Sequence, residues 1–275
     1  MENPLVSELI RSHFPGPFGY APVESAMPFL QCRALSRIPE KACSVIVLLF
    51  PYYTGPCSRR NISRYAMIPD YHMVAGQYLS QLCERLRREY PDNAFEYFTD
   101  NSPLREVSCA NAAGLGVIGD NGLLIHPQYG SYIFIGEIVS DLPLAYSQPS
   151  KNHCLQCGIC RKSCPNGAIG PEGAVDLSLC RSHITQKKGE LTPFEQEQIV
   201  AGGLIWGCDI CNDSCPLNRH VSITPIPEFL ESVIPVMSEE DVISLLKTRP
   251  YNYRGQKTIL RNFHLLEDEK GNSSI

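Results

Sequence analysis

No apolar run in the sequence approaches the roughly 18 residues that a membrane-spanning helix needs. The first residues, MENPLVSELIRSHF, also lack the charged segment and continuous apolar core of a secretory signal peptide. We therefore expect a cytoplasmic protein with no membrane partner, because cysteine thiols stay reduced in that compartment and remain available to metals.

Positive charge is also scarce. The chain has 24 Lys and Arg against 29 Asp and Glu, a formal net charge of −5, so as a whole it lacks the basic surface typical of nucleic-acid-binding proteins. A local basic patch is still compatible with this balance. The 43% hydrophobic and 19% charged composition is that of a folded globular protein, and 275 residues suffice for one large domain or two smaller ones.

Cysteine, by contrast, is abundant. Eight of the 13 cysteines fall between residues 153 and 215, as a C-x2-C-x2-C-x3-C-P run, a single cysteine and a C-x2-C-x3-C-P run. They are Cys154, Cys157, Cys160 and Cys164, then Cys180, then Cys208, Cys211 and Cys215. The first run has the spacing of bacterial ferredoxins, which bind iron-sulfur clusters.

The ferredoxin pattern also predicts how these cysteines divide. The first three thiolates of the first run bind one cluster and its fourth binds the other, while the last cysteine of the second run completes the first cluster, so two four-iron four-sulfur clusters are expected. One set would be Cys154, Cys157, Cys160 and Cys215, and the other Cys164, Cys180, Cys208 and Cys211. Structural zinc seldom shows this spacing, and a disulfide framework would need an oxidising compartment.

Hydrophobic patterning ahead of the cysteines indicates alternating strands and helices. We predict strands at Ser44–Phe50, Phe95–Phe98, Leu123–Ile125 and Ser131–Val139, and an amphipathic helix over Val74–Tyr90. This predicts an α/β or α+β domain with a mixed sheet and helices.

The chain then divides into three predicted parts. Residues 1–145 form the α/β or α+β domain, 146–222 a ferredoxin-like two-cluster domain, and 223–275 a short helical C-terminal region. In that last region, helices are predicted at Ser238–Leu246 and Gln256–Leu266, with frayed residues from Asp268 onward. A ferredoxin needs no large preceding domain. We therefore interpret the clusters as an electron-transfer path that delivers electrons to a site in residues 1–145.

Several other features allow more than one interpretation. Gly114 to Gly119 match G-x-G-x-x-G, but small polar residues precede them and strand-like residues follow, unlike a dinucleotide-binding turn. We expect these glycines to let the backbone approach another chain segment or a large flat ligand. Asp100 suits a turn and His72 a core histidine, whereas Arg59, Arg60 and Arg64 suggest a solvated face or an anion site.

Taken in order, short strings along the chain resemble the bacterial epoxyqueuosine reductase family over roughly residues 40–265. They are Ser63–Ala66, Asp70–His72, Asp100 with Pro103 and Glu106, Ala113–Gly116, Ile118–Gly119, Gly130–Ser131, Gly136–Ile138, Asp141–Pro143, His153–Cys154, Gly207–Asp209 and Leu260–Asn262.

The resemblance implies an N-terminal domain that holds base-off cobalamin next to one of two clusters. It implies removal of the epoxide oxygen of epoxyqueuosine in tRNA, with electrons from an external donor such as flavodoxin or ferredoxin. Asp100 matches the family's proton donor, for which a pKa raised by burial would be favourable. Tyr71 and His72 match a motif beside the cobalamin. The turn that contains Gly114, Gly116 and Gly119 would lie against the corrin ring.

The sequence departs from the family at several places. Val117, Asp120 and Met73 replace the usual tryptophan, lysine and basic residue, and the C-terminal helical region is shorter than is usual. A modest basic group remains there: Lys247, Arg249, Arg254, Lys257 and Arg261. The alternatives are a related corrinoid reductase that removes, for example, halide from a small molecule, and a non-catalytic electron carrier.

Overall fold

The computed structural model describes residues 3–272, which contain six strands and ten helices of the α type. The strands are β1 (Phe18–Pro22), β2 (Ser44–Pro51), β3 (Phe95–Thr99), β4 (Val117–Ile118), β5 (Leu124–Ile125) and β6 (Ile133–Ser140). The helices are α1 (Pro4–Arg11), α2 (Tyr71–Glu89), α3 (Glu106–Ala112), α4 (Ile159–Ser163), α5 (Arg181–Thr185), α6 (Pro193–Gly202), α7 (Ile210–Asp213), α8 (Glu228–Glu231), α9 (Glu239–Ser244) and α10 (Gln256–Asn272).

The main sheet has the order β1-β2-β6-β3, and every neighbouring pair is antiparallel. The expected mixed sheet is therefore wrong, and the N-terminal part is of the α+β type. The chain does make a strand-helix-strand crossover through β2, α2 and β3, but β6 inserts between the two strands and pairs with both. Sequence analysis also missed β1, whose glycine and proline suggested no element.

All eight residues of β2 are buried, as predicted, because both faces of the sheet are covered. Ile46, Leu48 and Phe50 pack in a core with α2, whereas the alternating Val45, Val47 and Leu49 pack in a second core with α3. This alternation follows from the two-residue period of a strand. The sheet is thereby fixed between helices on both sides.

A third core joins the chain segments that follow. It includes Ile62 and Met67 from the connection before α2, Trp206 from the cysteine-rich segment (residues 153–215), and Tyr251 and Ile259 from the C-terminal region. The domain boundaries at residues 145 and 222 remain predictions. Both fall in irregular segments, but this core contains residues from all three predicted parts.

The C-terminal helices confirm most of the sequence prediction. Ser238 caps α9 through a reciprocal pair of hydrogen bonds with Asp241, as its position suggested. However, α10 extends to Asn272, beyond the predicted end at Leu266; the fraying expected from Asp268 stays a prediction, and residues 273–275 lie outside the described range. Among residues 3–272, none of the helices has the length and apolar character that crossing a membrane requires.

Asn262 provides a test of how α10 is held. Its buried side-chain Nδ2 donates to the carbonyl oxygens of Thr185 (2.7 Å) and Ile205 (2.8 Å), which belong to the cysteine-rich segment. Asn262→Ala should lower the free energy of unfolding by about 2 kcal/mol, because two carbonyls lose their donor. The midpoint of chemical denaturation would measure the loss. Asn252→Ala, at an exposed position, is the control and should leave the midpoint unchanged; equal midpoints for both variants would contradict the assignment.

Candidate active site

A cavity of about 920 Å³ lies where the sheet, the cysteine-rich segment and the C-terminal region meet. One part of its wall carries Tyr71, His72 and Asp100, all named in the sequence analysis. Another part carries four of the predicted cluster cysteines: Cys164, Cys180, Cys208 and Cys211. The fold therefore brings the expected proton donor and one cysteine set into a single space.

A hydrogen-bonded chain of four side chains runs along the first part of the wall. Asp70 caps α2 by accepting from the backbone N–H of His72 (3.0 Å), and its Oδ1 also lies 2.7 Å from His72 Nδ1. On the other side of the ring, His72 Nε2 lies 3.2 Å from Asp100 Oδ2, which also accepts from Tyr71 Oη at 2.7 Å. The start of α2 thus orients the imidazole towards Asp100.

Asp100 follows β3 on a tight loop. Asp100 and Asn101 have φ angles of +52° and +39°, a conformation that Asp and Asn tolerate better than most residues. Asp100 Oδ1 accepts from the N–H of Asn101 at 2.7 Å, as in the self-bonded turn that its sequence context suggested. With 57% of its side chain exposed, Asp100 is less enclosed than expected.

The electrostatics reverse one expectation. Hydrogen bonding from His72, supported by Tyr71 and Asn101, outweighs partial burial and holds the pKa of Asp100 below its usual range. The predicted raised pKa is therefore wrong for this arrangement. Burial opposes a charge on His72, but its hydrogen bonds to Asp100 and Asp70 raise the pKa of the imidazole to about 9. The proton of this pair thus resides on His72 at neutral pH.

Two carboxyl groups behind the loop were not given a role by sequence reasoning. Glu137, in the middle of β6, is fully buried; its Oε2 accepts from Ser102 Oγ at 3.0 Å, and its Oε1 has no hydrogen-bond partner among the described residues. Burial raises the pKa of Glu137 to about 7, and burial followed by repulsion from Glu137 raises the pKa of Glu106. Because Ser102 lies two residues after Asp100, Glu137 anchors the loop that carries Asp100.

The second cysteine set surrounds a separate, much smaller space of about 20 Å³. Its lining includes Cys154, Cys157, Cys160 and Cys215. The structure thus groups the eight cysteines around two spaces in the same two sets of four that the ferredoxin spacing predicted. Among residues 3–272, no three His, Cys, Asp or Glu side chains converge as they would on a single metal ion.

The arginines near residue 60 do not form the predicted solvated face. Arg60 pairs with Asp209 and Asp213, and Arg64 Nε lies 3.0 Å from Asp213 Oδ1. Asp209 lies between Cys208 and Cys211 and is only 2% exposed. These arginines therefore hold the connection before α2 against the cysteine-rich segment, and only Arg59 is exposed as expected.

The glycines of the G-x-G-x-x-G string permit close packing of the chain on itself. A Cβ at Gly114 would lie 2.2 Å from the carbonyl oxygen of Gln148, and one at Gly116 would lie 2.5 Å from that of Ile125. A Cβ at Gly119 would meet Asn121 and Ile125. The cavity is lined by Asn121 rather than by these glycines, and their contact with a corrin stays a prediction.

The C-terminal basic group is smaller than the sequence suggested. Arg249 is buried and donates to the carbonyl oxygens of Met67 and Ser232, while Arg261 donates to those of Lys187 and Gly189. Arg254 instead lies over the ring of Tyr253, 4.8 Å from its centroid, and Tyr253 is a half-exposed wall residue of the cavity. Sequence reasoning missed Tyr253, because nothing local marks an aromatic residue as part of a distant wall.

Comparison with known proteins gives matches over both parts of the chain. Residues 34–101 match the family model described as epoxyqueuosine reductase QueG, and residues 153–218 match a 4Fe-4S double cluster binding domain. Among solved structures, an epoxyqueuosine reductase with an epoxyqueuosine-modified tRNA stem loop superposes with a TM-score of 0.79 at 24% identity, covering 96% of this chain and 80% of that one. A catabolic reductive dehalogenase gives 0.55 at 16% identity, covering 94% of this chain and 36% of that one.

Curated relatives are more similar in sequence. The epoxyqueuosine reductase of Vibrio cholerae is 38% identical over 168 residues, which are 61% of this chain and 45% of that protein. The epoxyqueuosine reductase of Cyclobacterium marinum is 32% identical over 245 residues, which are 85% of this chain and 79% of that protein. The chain therefore spans under half of the first relative and more than three quarters of the second. The chain belongs to the epoxyqueuosine reductase family, a family of oxidoreductases.

Proposed function

We propose that this protein removes the epoxide oxygen of epoxyqueuosine in tRNA by a two-electron reduction that uses cobalamin and two four-iron four-sulfur clusters. The observation that carries the proposal is the shared cavity, with Tyr71, His72 and Asp100 on one part of its wall and a cysteine set on another. A reductive deoxygenation needs both electrons and protons at one place, and these two parts of the wall can deliver them.

The cysteines fit the clusters. Four thiols surround each of two spaces, which suits a polynuclear cluster with one thiolate per iron. The set around the large cavity would be the inner cluster, nearest the reaction, and the set around the small space would be the outer one. Electrons from an external donor would pass from the outer cluster to the inner one.

The cavity also fits a large flat cofactor. Its volume of about 920 Å³ is at the upper end of ordinary small-molecule sites, and its lining is rich in aromatic and apolar side chains, among them Tyr71 and Phe134. The exposed Asn101 and Leu177 lie at its margin, so the site is open to solvent there. When bound, cobalamin would supply a cobalt centre that can pass an electron pair to a carbon of the substrate.

The side chains would supply the protons. Conversion of the epoxide to an alkene takes two electrons and two protons, breaks both C–O bonds and releases water. Asp100 can hand a proton to the departing oxygen, and His72 can replace it through the 3.2 Å contact between Nε2 and Oδ2. Because the proton rests on His72 at neutral pH, Asp100 acts as a relay rather than as a permanently protonated acid.

The likeness to a reductase bound to a tRNA stem loop supports tRNA as the substrate. Tyr253 is a half-exposed aromatic residue of the cavity wall with the partly buried Arg254 over its ring, and an aromatic side chain of this kind can stack on an unstacked base. The second candidate is reductive dehalogenation of a small molecule. It is favoured by the acidic balance of the chain, by the interior roles of Arg249 and Arg261, and by the fold likeness to a reductive dehalogenase.

Iron content tests the cluster assignment. The reconstituted protein should hold about eight irons per chain, and Cys157→Ala should lose up to about four, because one cluster lacks a ligand. Cys43→Ala is the control, since Cys43 lies outside both sets, and it should keep all the iron. Iron analysis with electron paramagnetic resonance would give both numbers. Equal iron in the two variants would contradict the assignment.

Asp100→Asn tests the proton relay. Single-turnover reduction of an epoxyqueuosine-containing stem loop should slow by about 10²- to 10⁴-fold, because the amide cannot pass on a proton. Iron content and cobalamin binding, followed by the visible spectrum, should not change. Asn101→Gly keeps the left-handed backbone at the neighbouring position and should retain turnover. Full activity of Asp100→Asn would disprove the role of Asp100 as a proton relay. If the unmodified protein accepts electrons but does not reduce the stem loop, it is a non-catalytic electron carrier.

The charge on His72 can be measured by its reaction with diethylpyrocarbonate, which modifies neutral imidazole. His72 should react slowly at pH 7 and faster as the pH approaches 9, where the ring loses its proton. Asp100→Asn should speed the reaction at pH 7, because the main group that raises the pKa of His72 is neutralised. His126, whose pKa is lowered to about 4 by burial, is an internal control and should show little change between pH 7 and 9. Rapid modification of His72 at pH 7 in the unmodified chain would contradict the relay.

A further inference from the structure

The segments that form the outer cysteine set have an unusual charge pattern. Residues 142–171 and 214–227 contain no Asp or Glu, although acidic residues outnumber basic ones over the whole chain. The same two segments carry Lys151, Arg161, Lys162 and Arg219. The outer cysteine set is therefore flanked by positive charge in a protein of net charge −5.

Most of this charge is available at the surface. Lys151, Lys162 and Arg219 are exposed, and within residues 3–272 none of the three has a carboxylate partner. Arg161 differs, because its Nη2 lies 3.1 Å from Asp120 Oδ2 and its charge is compensated. Three free cations thus flank the outer set.

The same segments also expose an apolar side chain and a cysteine of the outer set. Leu155, between the first two cysteines of the set, is 56% exposed, and Cys157 is exposed as well. The inner cysteine set, by contrast, faces the cavity together with Asp100. An electron donor that approaches from solvent would therefore reach the outer set first.

We propose that the surface around Leu155 and Cys157, flanked by Lys151, Lys162 and Arg219, is the docking surface for a small acidic one-electron carrier protein. The partner would be a flavodoxin or ferredoxin with carboxylates around its exposed cofactor. Each encounter would oxidise the carrier by one electron and reduce the outer cluster by one, so two encounters supply one reduction. This inference rests on the proposed function only in that the outer cysteines hold a cluster.

The charge arrangement favours a protein over RNA at this surface. Proteins that hold nucleic acid by its backbone commonly neutralise about six to ten phosphates, whereas only three free cations are present here. An exposed leucine among these charges suits a protein interface, in which an apolar core is surrounded by polar groups. Complementary charge would mainly accelerate the encounter and would weaken as salt is added.

The test compares two reductants on the cluster-loaded protein, with no tRNA present. The triple variant Lys151→Glu, Lys162→Glu, Arg219→Glu should slow bleaching of the clusters by reduced flavodoxin about 10-fold or more and flatten its salt dependence. Reduction by photoreduced deazariboflavin, a small neutral donor, should not change. The matched control Lys41→Glu, Arg85→Glu, Arg88→Glu reverses three other exposed cations and should leave both rates unchanged.

Three outcomes would overturn the proposal. An unchanged flavodoxin rate would mean that the donor docks elsewhere, and an equal loss with both reductants would mean that the substitutions act on the clusters themselves. A loss of stem-loop binding with an unchanged flavodoxin rate, measured by fluorescence anisotropy, would assign the surface to RNA. Because cluster bleaching needs no substrate, the result is independent of whether epoxyqueuosine is reduced.

Discussion

A buried carboxylate, Asp209, holds the cysteine-rich segment against the N-terminal part of the chain. It lies between two cysteines of the inner set, pairs with Arg60 and accepts from the backbone N–H of Arg64 at 2.9 Å. A buried charge of this kind is costly unless it is paired, so removing Arg60 would leave an uncompensated carboxylate beside the cysteines. This contact fixes the two walls of the cavity relative to each other, together with the third hydrophobic core.

In the proposed function, electrons and protons reach the same space from different directions. The cysteine sets lie in one segment, whereas the proton-bearing groups belong to the start of α2 and the loop after β3. The loop is in turn anchored to the sheet interior through Ser102 and Glu137. Glu137 is an expensive residue to bury, since its Oε1 has no partner among the described residues, and its raised pKa keeps it largely uncharged below about pH 7.

The parts of this arrangement that are local in sequence could be predicted, and the non-local parts could not. The spacing of the cysteines alone predicted the two sets of four that line the two spaces, because ferredoxin-type runs divide their cysteines in this way. The continuous apolar run of β2 likewise predicted a strand covered on both faces. The insertion of β6 between β2 and β3 depends on pairing between distant segments, and no local pattern encodes it. The role of Arg60 was missed for the same reason, because its partners lie about 150 positions further along the chain.

The pKa of Asp100 shows why identifying a residue is easier than deducing its state. Its position in the order of motifs singled it out as the candidate proton donor, and the expected raised pKa followed from assuming a buried, isolated acid. In the structure, His72 and Tyr71 both hydrogen-bond to the carboxylate, and this stabilises its charged form. A proton donor built in this way stores its proton on the neighbouring imidazole and depends on Asp70 to orient that ring. The proposed catalytic unit is therefore the hydrogen-bonded chain of Asp70, His72, Asp100 and Tyr71, and a change in any member would alter the protonation of the others.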